Sequence, residues 1–221
     1  MKKILIVLIV TIAFSMAGNA QTTQPNNQSA ETDYPITTIG LSGGLDYNTN
    51  AYHLAPTSNG GKYFSENPRY NIGADVGIQL TKRLRPRFEM KYVNVKYGID
   101  WSSFSNIDKT IVNVDYFDFN FRLDFLLLPI KKFELFISPA FKYEFETGNS
   151  VLNNYNMSID LIHHPSSIIG GGISGIFKYN ITEHFGVTLT PELTYFVHSF
   201  ATGNDKPYQR TSYNFGFEYK F

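Results

Sequence analysis

The sequence predicts an all-β protein, an eight-stranded antiparallel transmembrane up-and-down β-barrel that follows a cleaved signal peptide. Three observations predict it: an N-terminal export signal, an apolar/polar alternation of period two from Ile36 onward, and connections that are alternately short and long. The 221 residues include 19 Phe and 15 Tyr, yet the mean hydropathy is only −0.19. Such an average is expected when each strand has an apolar face and a polar face.

Composition excludes several classes of protein. The chain has 19 Lys and Arg against 19 Asp and Glu, so there is no basic excess to neutralise phosphates, and we predict no nucleic-acid partner. It has no Cys, which excludes disulfides, thiolate metal sites and a cysteine nucleophile.

Residues 1–20 are predicted to be a signal peptide. Lys2 and Lys3 precede the apolar run 4–14, which is short of the about 20 residues that a membrane helix needs. Gly18 and Ala20 then occupy the −3 and −1 positions of a cleavage site before residue 21. An uncleaved anchor is the alternative. Residues 21–35 are polar and are predicted to be a flexible periplasmic lead-in, and residues 36–221 the barrel.

Eight segments alternate large apolar residues with polar or small ones, and each has at least the ~9–11 residues that a tilted strand needs to cross a bilayer. They are 36–47, 70–81, 86–99, 111–128, 133–147, 166–180, 185–200 and 210–221. The parity of the apolar residues changes at Tyr92/Val93 and at Tyr116/Phe117, which predicts a β-bulge in each strand. Pro139 and Pro191 each delete a ladder donor, and bulges are the predicted positions for them as well.

The connections after the second, fourth and sixth segments are short (82–85, 129–132 and 181–184), and the others are longer and polar. Short turns on one side and long loops on the other are typical of outer-membrane barrels. The even strand number places both termini on the short-turn, periplasmic side.

Alternation alone does not say which face points inward, because a soluble lipocalin-like barrel has the same strand count and period. The apolar face carries more large side chains than the interior of an eight-stranded barrel can hold, so we predict that it faces lipid. The polar face combines many Gly with charges of both signs, which have to pair when they are buried. The predicted network of lumen charges is Asp75, Arg87, Glu89, Lys91, Asp118, Arg122, Asp124, Glu134, Lys142, Glu144, Lys178, Glu192 and Glu218.

A family resemblance follows from the signal ending at residues 18–21, the run 116–129 and the aromatic last strand. The chain resembles the outer-membrane β-barrel domain family of Bacteroidota, which includes PorT-like proteins and is similar in shape to the OmpX type. The aromatic residues of the last strand look like the signal that the barrel-assembly machinery reads, namely Tyr213, Phe215, Phe217, Tyr219 and Phe221. The family has no shared catalytic residues to carry over.

Signals of chemistry are weak. His164-Pro165-Ser166 superficially resembles an element of lipid A deacylases, but Pro165 breaks the strand and no acidic partner can be assigned. His163 and His164 are adjacent and point apart on an extended chain, so a metal site is not expected. The basic run Lys82, Arg83, Arg85 and Arg87 is predicted to be a solvated turn, with anionic headgroups as the alternative contact.

These observations predict a non-enzymatic protein of the bacterial outer membrane with a structural or surface-interaction role, without catalytic residues, cofactor or metal. Its expected partners are outer-membrane lipid, the barrel-assembly machinery and an extracellular or periplasmic protein. The alternatives are a narrow transport pore, an accessory part of a secretion or assembly machine, and a lipid-modifying enzyme. The loops 48–69, 100–110, 148–165 and 201–209 are expected to hold the specificity.

Overall fold

A computed structural model describes residues 34–48, 62–65, 68–100, 109–152, 167–197 and 208–221. The predicted signal peptide and most of the lead-in lie outside these residues. Within them, no helix is long and apolar enough to cross a bilayer. The strands are β1 (Ile36–Asn48), β2 (Lys62–Ser65), β3 (Arg69–Gln79), β4 (Leu84–Asp100), β5 (Lys109–Ile130), β6 (Phe133–Leu152), β7 (Ser167–Asn180), β8 (Phe185–Phe196) and β9 (Tyr208–Lys220).

The strands form a closed antiparallel barrel. Along the chain, β3 pairs with β4, β4 with β5, and so on to β9, and β1 pairs with both β3 and β9. No edge strand is left in such a ring, so backbone donors and acceptors are satisfied between neighbours without water. The predicted eight-stranded up-and-down barrel is confirmed.

The short strand β2 adds no ninth position to the barrel. It pairs with the upper end of β4, from Lys62 opposite Asp100 to Ser65 opposite Tyr97. β3 pairs with the lower part of the same side of β4, beginning with Asn71 opposite Val93. β2 is therefore a continuation of β3 along the wall.

Side chains alternate between an apolar outer face and a largely polar lumen. Ile72 and Phe141, on the outer face, are 62% and 55% exposed. Glycine makes room inside: a Cβ added to Gly44 would lie 2.2 Å from the Tyr213 carbonyl oxygen of the neighbouring strand. The apolar face therefore points away from the lumen, as the excess of large side chains predicts.

The bulge predicted at Tyr92/Val93 is wrong, and at Tyr116/Phe117 the bulge lies in the neighbouring strand β6 and not in β5. β4 pairs with β5 without interruption from Leu84 opposite Phe125 to Asp100 opposite Lys109. The register shift beside Tyr116 inserts Thr147 into β6, and β5 keeps its alternation at this level; its own extra residue is Leu127, near the short-turn end.

The polarity of the two faces inverts instead. From this level toward the long loops, the apolar side chains of Val93, Val95, Val114 and Tyr116 point inward and are buried. On the outer face, the Asn94 Nδ2 donates hydrogen bonds to Asn113 Oδ1 (2.9 Å) and Asp115 Oδ1 (2.7 Å). Polar outer residues are expected where a strand has left the hydrocarbon, because lipid offers them no partners.

The two prolines do not lie at bulges either. The register is the same on both sides of Pro139, with Arg122 opposite Ala140 and Phe125 opposite Ile137. It is also the same on both sides of Pro191, where β7 and β8 pair. Backbone pairing is interrupted between β5 and β6 beside Pro139 and between β7 and β8 beside Pro191. The missing N–H donor of each proline is therefore accommodated by a gap in the ladder and not by an extra residue.

The short connections are tight hairpins. Lys131 and Lys132 alone join β5 to β6, and Lys131 has a φ of 46°. A residue with a Cβ in this left-handed region carries a cost of about 1–2 kcal/mol, which Gly would not. The turn between β3 and β4 is closed by the Leu80 N–H, which donates to the Leu84 carbonyl at 3.0 Å.

Candidate functional site: the charged lumen

The interior of the barrel is lined by charged side chains from β3 to β9. Of the thirteen predicted lumen charges, twelve are buried. Glu134 is the exception: its side chain is 28% exposed at the short-turn end, 3.6 Å from the Lys178 Nζ.

Four further charged residues are buried beside them: Asp46, Arg69, Arg85 and Arg210. The expectation of a solvated turn is wrong for Arg85 and Arg87, which lie in the lumen, while Lys82 and Arg83 are exposed. Strand parity could have found Arg85, because it shares the inward parity of Arg87. The described lumen thus buries the acids Asp46, Asp75, Glu89, Asp118, Asp124, Glu144, Glu192 and Glu218 and an equal number of bases, Arg69, Arg85, Arg87, Lys91, Arg122, Lys142, Lys178 and Arg210.

One cluster is centred on Glu218 of the last strand. Its carboxylate accepts from Arg85 Nη1 (2.8 Å), from Arg87 Nη2 (3.1 Å) and from the Lys178 ammonium. Asp124 of β5 bridges the same two arginines, at 2.9 Å from Arg85 Nε and 3.0 Å from Arg87 Nε. This cluster ties β9 to β4, β5 and β7 across the lumen.

A second cluster is centred on Glu192 of β8. Its carboxylate pairs with the Arg122 guanidinium and lies 2.5 Å from the Lys142 Nζ and 4.0 Å from the Lys91 Nζ. Glu89 is 3.1 Å from Lys91 and 3.0 Å from Arg122. Each buried charge of this cluster therefore has an opposite charge in contact, as burial requires.

Apolar layers lie beyond these clusters at both ends of the lumen. At the long-loop end the layer consists of side chains that are at most 1% exposed: Val93, Val95, Val114, Tyr116, Ile168 and Phe196. At the short-turn end Ile36, Phe136 and Ile176 are buried. Arg85 and Arg210 lie at the boundaries, with Cζ atoms 4.7 Å and 4.9 Å from the ring centroids of Phe136 and Phe196.

A small polar cavity lies between the two clusters, with room for the centre of about one water molecule (≈ 10 Å³). Its lining includes Asp75 and Asn214, whose Oδ1 atoms, together with the Asn214 Nδ2, have no hydrogen-bond partner in the protein. The size and lining suit one ordered water, not a substrate.

No metal-ligating cluster is found in the part of the chain that the structure describes. There, no three or more His, Asp or Glu side chains are placed to hold a metal ion. His163, His164, Pro165 and Ser166 lie outside the described residues. His184, in the β7–β8 turn, is exposed; its Nδ1 lies 3.0 Å from the Lys220 carbonyl oxygen, and its ring stacks on Tyr219.

The residues of the predicted assembly signal form an aromatic row on the outer face at the end of the chain: Tyr213, Phe215, Phe217, Tyr219 and Phe221. Neighbouring rings are in contact, with centroids 5.3 Å apart for Phe215 and Phe217 and 4.9 Å for Tyr219 and Phe221. The Phe221 N–H donates to the Thr37 carbonyl at 3.0 Å, which joins this row to β1.

Solved structures with the same architecture are outer-membrane barrels. The outer membrane protein OprG from Pseudomonas aeruginosa is 10% identical, with a TM-score of 0.53, over 85% of this chain and 95% of that chain. The outer membrane protein AlkL, solved by solid-state NMR in lipid bilayers, is 9% identical with a TM-score of 0.52, over 91% and 97%. Neisserial surface protein A is 10% identical with a TM-score of 0.50, over 84% and 97%.

No protein-family profile and no curated protein matches the sequence. The structural likeness therefore shows the fold: this chain has the architecture of small eight-stranded outer-membrane β-barrels.

Proposed function

We propose that the protein is a non-enzymatic barrel of the bacterial outer membrane, sealed along its lumen, that serves as a rigid anchor for a surface-interaction site outside the bilayer. The observation that carries this proposal is the lumen itself. Its buried acids and bases are equal in number, and apolar side chains pack beyond the two charged clusters at both ends, with Asp46 and Arg69 beside the long-loop layer.

A sealed lumen argues against a transport pore. An ion or solute would have to pass the apolar layer that includes Val114 and Phe196, and then separate the pairs that Glu192 and Glu218 make. Removing one partner from a buried ion pair costs about 3–5 kcal/mol, because the other charge stays behind without compensation. An eight-stranded barrel has no spare width through which a solute could bypass these side chains.

The lipid-facing belt supports the location. The outer face is apolar, and at the short-turn end it finishes in the exposed aromatic residues Phe133, Tyr219 and Phe221. Aromatic side chains at the ends of an apolar band are typical of barrels at a membrane interface. The signal peptide of residues 1–20 and insertion by the barrel-assembly machinery are parts of this proposal.

The interaction site is proposed on the projecting wall formed by the upper parts of β4, β5 and β6. These strands have 17, 22 and 20 residues, against 11–14 in β1, β3, β7, β8 and β9. At about 3.3 Å per residue, β4 extends roughly 20 Å beyond Val93. On this wall Asn113 and Asp115 are partly exposed and contact water or a partner, not lipid tails, and Asn94, which donates to both, is buried beside them.

Membership in the Bacteroidota family of PorT-like barrels is the finer part of the proposal. It is supported by the run 116–129 and by the aromatic last strand. Membership in this family would favour another protein of the cell envelope as the partner.

Conductance tests the seal. The purified protein, inserted into planar bilayers, is expected to give no steady single-channel current, and liposomes that contain it are expected not to swell in small sugars. A shift in gel mobility between boiled and unboiled samples shows that the barrel in the same preparation is folded. Steady conductance by folded protein would make it a pore.

Cysteine labelling tests the topology, because the chain has no Cys of its own. Ser150 is exposed on the upper part of β6, and Lys132 is exposed in the β5–β6 turn. In intact cells a membrane-impermeant maleimide is expected to label Ser150→Cys and to spare Lys132→Cys until the outer membrane is permeabilised. The reverse pattern would place the projecting wall in the periplasm and reject the surface role.

A further inference from the structure

Five basic side chains lie around the short-turn end of the barrel, and we call them the basic rim: Lys82, Arg83, Lys131, Lys132 and Lys220. Two are in the β3–β4 turn, two form the β5–β6 turn, and Lys220 ends β9. Lys220 is half-buried and the other four are exposed. The exposed acid of the described short turns is Glu183, between β7 and β8.

Within the part of the chain that the structure describes, the charges of the basic rim are not neutralised. Among the described residues, none of the five has a carboxylate within ion-pair distance. Glu134, at the same end, is engaged by Lys178 of the lumen. The basic rim thus presents uncompensated positive charge, unlike the lumen, where acids and bases are balanced.

The backbone holds the basic rim in fixed positions. The Leu126 N–H donates to the Arg83 carbonyl at 2.9 Å, and the Asn180 N–H donates to the Lys132 carbonyl at 2.7 Å. The Lys220 N–H donates to the His184 carbonyl at 2.7 Å. The basic side chains therefore extend from a rigid scaffold, which lowers the entropic cost of binding a ligand.

Lys131 has a backbone conformation that is unfavourable for a residue with a side chain. Its φ of 46° is in the left-handed region, where Gly or Asn is the usual choice in a two-residue hairpin. A lysine at this position is better explained by its charge than by the geometry of the turn. This observation is independent of the number of basic residues.

The depth of the basic rim is set by its apolar neighbours. Ile130 and Phe133 flank Lys131 and Lys132, and both are exposed on the lipid-facing side. Lys220 lies in the chain between the lipid-facing Tyr219 and Phe221, and its parity directs its side chain to the mouth of the lumen. A strand residue advances about 3.3 Å, so the basic groups lie within one or two residues of the hydrocarbon boundary.

We propose that the basic rim binds the headgroups of anionic phospholipids in the periplasmic leaflet. Ammonium and guanidinium groups form charge-assisted hydrogen bonds to phosphate oxygens, and the neighbouring apolar side chains contact the acyl chains of the same lipid. A lipid supplies both groups at this depth, whereas an acidic soluble protein would have to displace lipid to reach them. The proposal rests on the proposed function, since it requires a membrane-spanning barrel with its short turns in the periplasm.

Lipid selectivity measures this binding. The purified protein is inserted into phosphatidylcholine vesicles that contain a trace of one spin-labelled lipid. This lipid is either phosphatidylglycerol or phosphatidylcholine, with the same spin-labelled acyl chain in both. The motionally restricted fraction of each label, read by electron paramagnetic resonance, gives their relative association with the protein surface. We expect phosphatidylglycerol to be favoured roughly two- to fivefold at low salt, and less at 1 M salt, where the Debye length is about 3 Å.

Variants assign the selectivity to the basic rim. The fivefold variant with Gln at all rim positions is expected to bring the ratio close to one, and the double variant Lys131→Gln/Lys132→Gln to lower it in part. Lys131→Arg/Lys132→Arg keeps the charge and should keep the ratio. Lys96→Gln removes one charge from the long-loop end of β4 and is the control that should change nothing.

A gel-mobility assay on every sample distinguishes failure of the proposed function from failure of this inference. If the wild-type protein fails to insert and shows no shift, the membrane-spanning function itself is rejected. If it is folded and the ratio for phosphatidylglycerol is one, or if the double Gln variant folds and retains the full ratio, the basic rim does not bind anionic headgroups and this inference alone is overturned.

Discussion

Arg210 of β9 and Glu144 of β6 form a two-point ion pair across the lumen, between strands that are not neighbours in the sheet. The Arg210 Nη2 donates to Glu144 Oε2 at 3.1 Å, and both residues are buried. The pair lies at the boundary between the charged clusters and the apolar layer, with Phe196 against the guanidinium. It joins opposite walls of the barrel, which backbone pairing cannot do.

This pair gives the first prediction. Arg210→Met leaves the Glu144 carboxylate buried without its partner and should lower the free energy of unfolding by about 3–5 kcal/mol. The double variant Arg210→Met/Glu144→Leu removes both charges and should recover most of that loss. Denaturant unfolding of the barrel in detergent micelles measures both. A single variant as stable as the wild type would mean that the pair does not hold the walls together.

Close packing of strands gives the second prediction, with two adjacent glycines as a matched pair. A Cβ on Gly44 would lie 2.2 Å from the Tyr213 carbonyl oxygen, whereas one on Gly43 would meet the Asn71 carbonyl oxygen at an ordinary 3.5 Å. Gly44→Ala should cost about 1–3 kcal/mol because backbone has to move. Gly43→Ala should be close to neutral. Equal unfolding midpoints for the two variants would contradict the close approach of β1 to β9 at Gly44.

The inversion of the wall's polarity gives the third prediction. Phe141 and Ser150 are both exposed on β6, on opposite sides of the proposed membrane boundary. Phe141→Arg places a charge in the hydrocarbon and should cost about 2–4 kcal/mol, and Ser150→Arg should cost less than about 1 kcal/mol. Unfolding measured after insertion into lipid vesicles distinguishes the two. A similar loss of unfolding free energy in both variants would contradict a membrane boundary between Phe141 and Ser150.

Lys131 gives the fourth prediction, in which stability and lipid binding change in opposite directions. Lys131→Gly relieves the left-handed backbone and should raise the free energy of unfolding by about 1 kcal/mol. It also removes one charge of the basic rim and should lower the preference for phosphatidylglycerol. Lys132→Gly, which has no positive φ to relieve, is the control for stability. Loss of stability in Lys131→Gly would show that the lysine serves the turn instead.

The sequence alone predicted the number of strands, their approximate bounds and the face that meets lipid. These properties are local: side chains at i and i+2 lie on one face of any strand, so the last strand's Phe215 and Phe217 define the outer face without knowledge of the rest. The same parity predicted burial for Glu192 and Glu218. It would also have placed Arg85 and Arg210 in the lumen, had parity been applied to every basic residue.

Partners and boundaries were decided only by the tertiary structure. Closure brings Arg85 of β4 to Glu218 of β9, 133 residues along the chain, and no spacing in the sequence specifies that contact. The parity change at Tyr116 indicated a bulge inside β5, yet β5 keeps its alternation there and the extra residue, Thr147, lies in the neighbouring strand β6. The run from Lys82 to Arg87 likewise divides between the basic rim and the lumen, because Lys82 and Arg83 lie in the β3–β4 turn, whereas Arg85 and Arg87 are strand residues with inward parity.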